Sequence, residues 1–199
     1  MVFNMNHKFS KTFFLFLIFI FCFLSIVNIS YASRISDIDR DIFGYVHEDM
    51  NNKYLDEVTP IIQYMGDPRF YFGLCAFLCA FGDEKMSETG KLAFTGYLGA
   101  GGIIYIFKET ISRPRPLNII EKNSFPSGHT TFAFTLAIIA GHQYPKLRIP
   151  LYLGAVGTAF SRVYLGRHYP SDVLAGAIIG VLTGVGIIYF NEPILRFSF

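Results

Sequence analysis

The sequence predicts an all-α protein, an integral-membrane helical bundle of five or six spans. Two observations carry that expectation. Of the 199 residues, 52% are hydrophobic and 16% charged, with a mean hydropathy of +0.39. A soluble domain of this size usually carries about 25% charged residues to cover its surface, so the deficit points to lipid as a second solvent. The apolar residues are also gathered into blocks of helical length, separated by short polar connections. The same composition excludes a disordered chain. With 17 basic against 15 acidic residues and no basic run or stripe, nucleic acid is excluded as a partner.

Residues 1–32 form the first segment. Lys8 and Lys11 precede an apolar run from Phe13, and small residues at Ser30 and Ala32 suit a cleavage site, so this is either a secretory signal or a first transmembrane helix. Residues 33–69 are more polar. Ile35, Ile38, Ile42, Phe43 and Val46, then Leu55, Val58, Ile61, Ile62 and Met65, recur at three- and four-residue spacing, as in amphipathic helices at a membrane surface or against a core. Gly66-Asp67-Pro68 punctuates them.

Residues 70–199 make the membrane-embedded core, with apolar blocks at 70–81, 92–107, 130–140, 149–160 and 173–190. Gly176, Gly180 and Gly184 in the last block leave one helix face smooth enough for close approach by a neighbour. Cys22, Cys75 and Cys79 lie in apolar stretches with no accompanying His cluster, and read as small buried hydrophobes.

With Lys8 and Lys11 inside, the connections 33–69, 108–129 and 161–172 fall outside. They carry Lys108, Arg113, Arg115, Lys122, Arg162 and Arg167, against the tendency of basic residues to stay on the inner face. Anion binding is a physical reason for that excess. Lys108, Arg115 and Arg162 offer three cations, and an Arg fork matches phosphate oxygens. Ser127-Gly128-His129 opens a helix, where a capping Ser, an unencumbered backbone and the helix dipole form an anion cradle beside a proton-donating His.

His168 and Asp172 lie four residues apart at another helix start, with Pro170 in the first turn. A carboxylate accepting from one imidazole nitrogen fixes the tautomer, so that the other nitrogen presents its lone pair. Taken singly, each group has an ordinary alternative: basic side chains snorkelling at helix ends, a capped helix start, or a surface hydrogen bond.

Together, Lys108-x6-Arg115-Pro116, Pro126-Ser127-Gly128-His129 and Ser161-Arg162-x5-His168-x3-Asp172 resemble the three-part signature of the type-2 phosphatidic acid phosphatase and vanadium haloperoxidase superfamily, at all eleven specified positions. The motifs occupy residues 108–172, and the helix pattern extends the likeness over roughly 35–190. The resemblance implies that superfamily's phosphatase core, with His168 as phosphorus nucleophile through a phosphohistidine, Asp172 orienting it, and His129 protonating the leaving group. Lys108, Arg115, Arg162, Ser127 and the Gly128 N–H hold the phosphoryl oxygens, with no metal or cofactor. Arg113 and Arg167, between motif positions, are left for a second phosphate or for lipid headgroups.

The resemblance further implies a multi-pass phosphatase of the bacterial inner membrane, its site facing the periplasm or cell exterior, with a membrane lipid as substrate. The likeness is nearest to small enzymes hydrolysing undecaprenyl diphosphate. Phosphatidate, phosphatidylglycerophosphate and lipid A phosphatases share the signature, as do secreted acid phosphatases. An anion-binding membrane transporter or scaffold is the non-enzymatic alternative, and oligomeric state is not encoded in any feature of the sequence.

Overall fold

The computed structural model describes residues 34–196, so the signal or first-span expectation for residues 1–32 lies outside the described residues. The chain divides into two compact units between Asp41 and Ile42, and the account below concerns the second. Every regular element among the described residues is helical: α1 (Arg34–Gly44), a π-helical turn (Tyr45–Asp49), α2 (Lys53–Ile62), a 3-10 turn (Gln63–Gly66), α3 (Pro68–Phe81), α4 (Glu84–Ile111), α5 (Gly128–Gln143), a 3-10 turn (Pro145–Leu147), α6 (Arg148–Tyr164), α7 (Pro170–Tyr189) and α8 (Asn191–Arg196).

The helix starts are written locally. Asn52 accepts from the N–H groups of Tyr54 and Leu55 at the head of α2, Asp67 caps α3 with Pro68 in its first turn, and Asp83 accepts from Met86 N–H at 2.8 Å to start α4. That last cap explains a departure from the apolar pattern. The block 92–107 belongs to a 28-residue helix that begins at Glu84, because Asp83 nucleates it eight residues before the apolar stretch. α4 ends where Ser112 turns into the left-handed region at φ 48°.

α5 is the centre of the unit, packed against α4, α6 and α7. It has no polar face: Thr130, Thr131, Phe132, Ala133, Thr135, Leu136, Ala137, Ile139 and Gly141 are all buried around its circumference. α7 lies against it through the expected glycine stripe. A Cβ at Gly176 would sit 2.7 Å from the Ser127 carbonyl oxygen, and one at Gly180 would sit 2.5 Å from that of Thr131. Thr135 Oγ1 donates across this contact to the Gly180 carbonyl at 3.3 Å.

Gly180→Ala is therefore expected to lower the unfolding temperature in detergent although Ala is the better helix former by about 1 kcal/mol. Gly186, where an added Cβ meets open space, supplies the contrast: Gly186→Ala should hold or raise it. Equal behaviour of the two variants would contradict close α5–α7 packing.

The outward surface stays apolar. Phe72, Phe77, Phe81, Leu98, Tyr105, Ile106, Leu153, Val156, Leu174 and Val185 are exposed, as in a protein whose outer solvent is lipid. Among the described residues, α7 is the helix long and apolar enough to cross a membrane, and α3 is a shorter apolar helix.

Candidate active site

Alternation of the helices brings four helix ends and one turn to one side: the end of α4, the start of α5, the end of α6, the start of α7, and the turn joining α2 to α3. The three polar groups of the sequence sit at these ends. The positive charges of Arg162, Arg115 and Lys108 bear on both His168 and His129, so the separate motifs share one site.

His168 lies in the short connection between α6 and α7 and is 2% exposed. Its Nδ1 is 2.7 Å from the backbone carbonyl of Ser124. A carbonyl only accepts, so Nδ1 carries the hydrogen and Nε2 carries the lone pair. Burial, followed by the charges of Arg162, Arg115 and Lys108, pushes this imidazole well below the ordinary histidine range. At neutral pH it is therefore an uncharged base with a fixed tautomer.

The spacing of four residues leads one to expect Asp172 as the direct acceptor from His168. Instead the nearest approach, Nδ1 to Oδ2, is 3.9 Å, and the Ser124 carbonyl occupies the hydrogen-bonding position. The reason is local: His168 precedes α7 rather than lying on it, and Oδ2 is already engaged. It accepts from Ser124 Oγ at 2.6 Å and from Tyr169 N–H at 2.9 Å. Asp172 thus fixes Ser124, which holds His168, while its charge remains close enough to favour a developing imidazolium.

Arg113 completes this buried arrangement. Its Nη1 donates to Asp172 Oδ1 at 2.5 Å and to Ser171 Oγ at 2.7 Å, and its guanidinium stacks over the Tyr169 ring at 4.3 Å. The side chain is turned inward onto α7, and these contacts account for its place between motif positions. Arg167 is exposed, with its backbone N–H on the Arg162 carbonyl.

The cationic side of the site is partly tethered. Lys108 Nζ donates to the Asn123 carbonyl. Arg115 Nε donates to Asn123 Oδ1 at 2.7 Å and lies 3.1 Å from Glu121 Oε2. Arg162, 6% exposed, donates through Nη1 to Gln63 Oε1. Its Nε is buried and has no hydrogen-bond partner, although buried donors are nearly always satisfied. An oxyanion between the helix ends would satisfy it.

Ser127 stands at the N-cap of α5, but its hydroxyl pairs with Thr130 Oγ1 at 3.0 Å rather than capping the backbone. The first-turn N–H groups are thus left uncapped by a side chain, with Gly128 half-buried at their head. His129 follows, its Nε2 3.8 Å from Asp67 Oδ2.

Five contributors escaped the sequence reading: Gln63, Asp67, Asn123, Ser124 and Ser171. Asp67 showed only as part of a Gly-Asp-Pro breaker, and Asn123-Ser124 only as polar residues before Pro126. Chemically, a site with a tautomer-fixed neutral imidazole, a second imidazole beside a carboxylate and three cations can bind an oxyanion, attack it and protonate a departing group.

The profile described as the PAP2 superfamily matches residues 90–195, more than half of the chain. Over 124 residues the chain is 37% identical to lipid A 1-phosphatase of Porphyromonas gingivalis, covering 58% of this chain but 28% of that protein. It is 26% identical to undecaprenyl-diphosphatase BcrC of Bacillus subtilis over 172 residues, covering 81% of this chain and 86% of the relative. Among solved structures, a transmembrane PAP2-type phosphatidylglycerolphosphate phosphatase from Bacillus subtilis superposes with a TM-score of 0.75 at 28% identity, covering 90% of this chain and 96% of that one. LpxE of Aquifex aeolicus superposes with a TM-score of 0.67 at 27% identity, covering 76% and 95% respectively.

Proposed function

This chain belongs to the PAP2 superfamily, and we propose that it is a lipid phosphate phosphatase that works through a phosphohistidine on His168. The observation that carries this reading is His168 itself: buried among cations, with Nδ1 committed to the Ser124 carbonyl and the Nε2 lone pair left for phosphorus.

In the first half-reaction the His168 Nε2 lone pair forms a bond to phosphorus while the P–O bond to the leaving group breaks. His129 gives the proton that the leaving oxygen needs. The ring of phosphorylated His168 becomes cationic, with Nδ1–H on Ser124 and the Asp172 carboxylate nearby. In the second half-reaction water attacks phosphorus, the N–P bond breaks with its electron pair returning to His168 Nε2, neutral His129 takes the water proton, and phosphate leaves. Lys108, Arg115, Arg162 and the first N–H groups of α5 hold the equatorial oxygens, where transition-state charge develops. No step calls for a metal.

The substrate we propose is undecaprenyl diphosphate, cleaved to undecaprenyl phosphate and phosphate. The undecaprenyl-diphosphatase relative supports this choice through a match that covers 81% of this chain and 86% of the relative, and the exposed apolar helix faces suit an amphiphile whose tail stays in the bilayer. The same reading makes the protein a multi-pass bundle of five or six spans in a bacterial inner membrane, with the site at the extracytoplasmic face. The relatives named for lipid A and phosphatidylglycerolphosphate make those lipids the competing substrates.

The test is phosphate release by the detergent-solubilised protein in EDTA, from undecaprenyl diphosphate, phosphatidate, phosphatidylglycerophosphate, lipid A and an aryl phosphate. Strongest turnover of undecaprenyl diphosphate is expected. Preference for another lipid would change the substrate but not the chemistry, and dependence on added metal would overturn the mechanism.

A further inference from the structure

The family match begins at residue 90, yet one wall of the site comes from the turn at residues 63–67, far upstream. The turn is fixed to the core. Thr158 Oγ1 on α6 donates to the Ile62 carbonyl at 3.0 Å, and Gln63 accepts from Arg162. Gly66 lies so close to His129 that a Cβ there would collide with the His129 carbonyl oxygen. This close approach brings Asp67 Oδ2 to 3.8 Å from His129 Nε2.

Asp67 is itself held in place. Its Oδ1 accepts the N–H groups of Arg69 at 2.8 Å and Phe70 at 3.4 Å, capping α3. The Arg69 guanidinium, on a side chain that is otherwise exposed, closes onto both carboxylate oxygens. That guanidinium holds the carboxyl below the usual carboxylate range, so it is charged at neutral pH. The charged groups facing His129 are Arg162 from α6, Arg115 from the loop after α4, Lys108 from α4, and Asp67. Of these four only Asp67 is acidic, so it is the one charge that works for a protonated ring against burial and three cations.

Resting on the phosphatase reading, we propose that Asp67 is a positioning residue for the leaving-group acid. Its carboxylate draws Nε2 of His129 toward itself, favours the protonated ring against burial and the neighbouring cations, and leaves Nδ1 to face the departing oxygen. As the P–O bond breaks, the Nδ1 proton passes to that oxygen, the bonding pair stays on oxygen, and the His168 lone pair makes the new N–P bond. The consequence is a bias in substrate class. An alkoxide leaving from a phosphate monoester needs the whole proton, a phosphate ester leaving from a diphosphate needs it less, and a nitrophenolate needs it least. The Asp67–His129 pair thus equips the site for monoesters of simple alcohols, beyond what diphosphate cleavage demands.

The experiment is kcat/KM for the purified full chain, wild type, Asp67→Asn and Asp67→Glu, on phosphatidate, undecaprenyl diphosphate and p-nitrophenyl phosphate. kcat/KM reports the first half-reaction, and Asn retains the capping oxygen for α3, so thermal unfolding should be unchanged. General acids contribute roughly 10²–10⁴-fold, so Asp67→Asn should lose about 10- to 100-fold on phosphatidate, less on the diphosphate, and under about threefold on p-nitrophenyl phosphate. Asp67→Glu should restore most of the phosphatidate rate. Equal losses on all three esters, or no loss on phosphatidate, would overturn the inference while leaving the phosphatase reading intact. A wild-type chain that hydrolysed none of them would instead overturn that reading, and the inference with it.

Discussion

Replacing His168 with Ala is expected to abolish turnover, by on the order of 10⁴-fold or more, while phosphate and vanadate still bind. Nothing else among the described residues combines the site's burial with a committed Nδ1 and an open Nε2. The anion-holding groups Lys108, Arg115, Arg162 and the α5 N-terminus are untouched by the substitution, so affinity for an inorganic oxyanion should fall far less than the rate. The pH dependence has a definite sign. The attacking imidazole must be neutral, and its folded pKa is pushed well below 6.5. Activity should therefore persist as pH falls through 6.5 and decline only when the folded pKa is passed, as read from kcat/KM of the free enzyme. The unfolded chain binds that proton first, so stability should decrease as pH falls below 6.5. A variant lacking His168 that kept the wild-type rate would remove the nucleophile from the account.

Arg113→Ala is expected to cost about 3–5 kcal/mol of stability. Asp172 is fully buried and Arg113 supplies its cationic partner at 2.5 Å. Truncating one member of a buried pair strands the other charge, which costs far more than the intact pair contributes. The double variant Arg113→Ala, Asp172→Asn should consequently be more stable than Arg113→Ala alone, since the stranded charge is gone. Asp172→Asn by itself should reduce turnover less than His168→Ala, because the Ser124 carbonyl still fixes the tautomer. Chemical and thermal unfolding in detergent, compared across the four proteins, checks the cycle. Additive losses would mean that Arg113 acts elsewhere, for example at a lipid headgroup.

These two residues mark where the sequence was legible and where it was not. His168, His129 and Arg162 stand in fixed spacings at helix boundaries that Pro170, Gly128 and the apolar blocks announce, so their grouping could be read from the chain. Arg113 and Asp172 are 59 residues apart, and no periodicity links them; only the packing of α4 and α7 around α5 brings them together. The same holds for Asp67, whose local signal is that of a helix cap and whose second role depends on Gly66 meeting the backbone of His129. Spacing also suggested a direct Asp172–His168 bond. A nearer acceptor from a different segment, the Ser124 carbonyl, took that place, which no pattern of side-chain types encodes. The glycine stripe of α7 was legible because close helix approach requires residues without side chains wherever it occurs.

The most direct test of a covalent intermediate is the stereochemical course at phosphorus, measured with a substrate whose terminal phosphoryl group is made chiral by oxygen isotopes and sulfur. Two in-line displacements, the first by His168 and the second by water, predict overall retention of configuration. Inversion would mean that water attacks the substrate directly, and would contradict a phosphohistidine at His168.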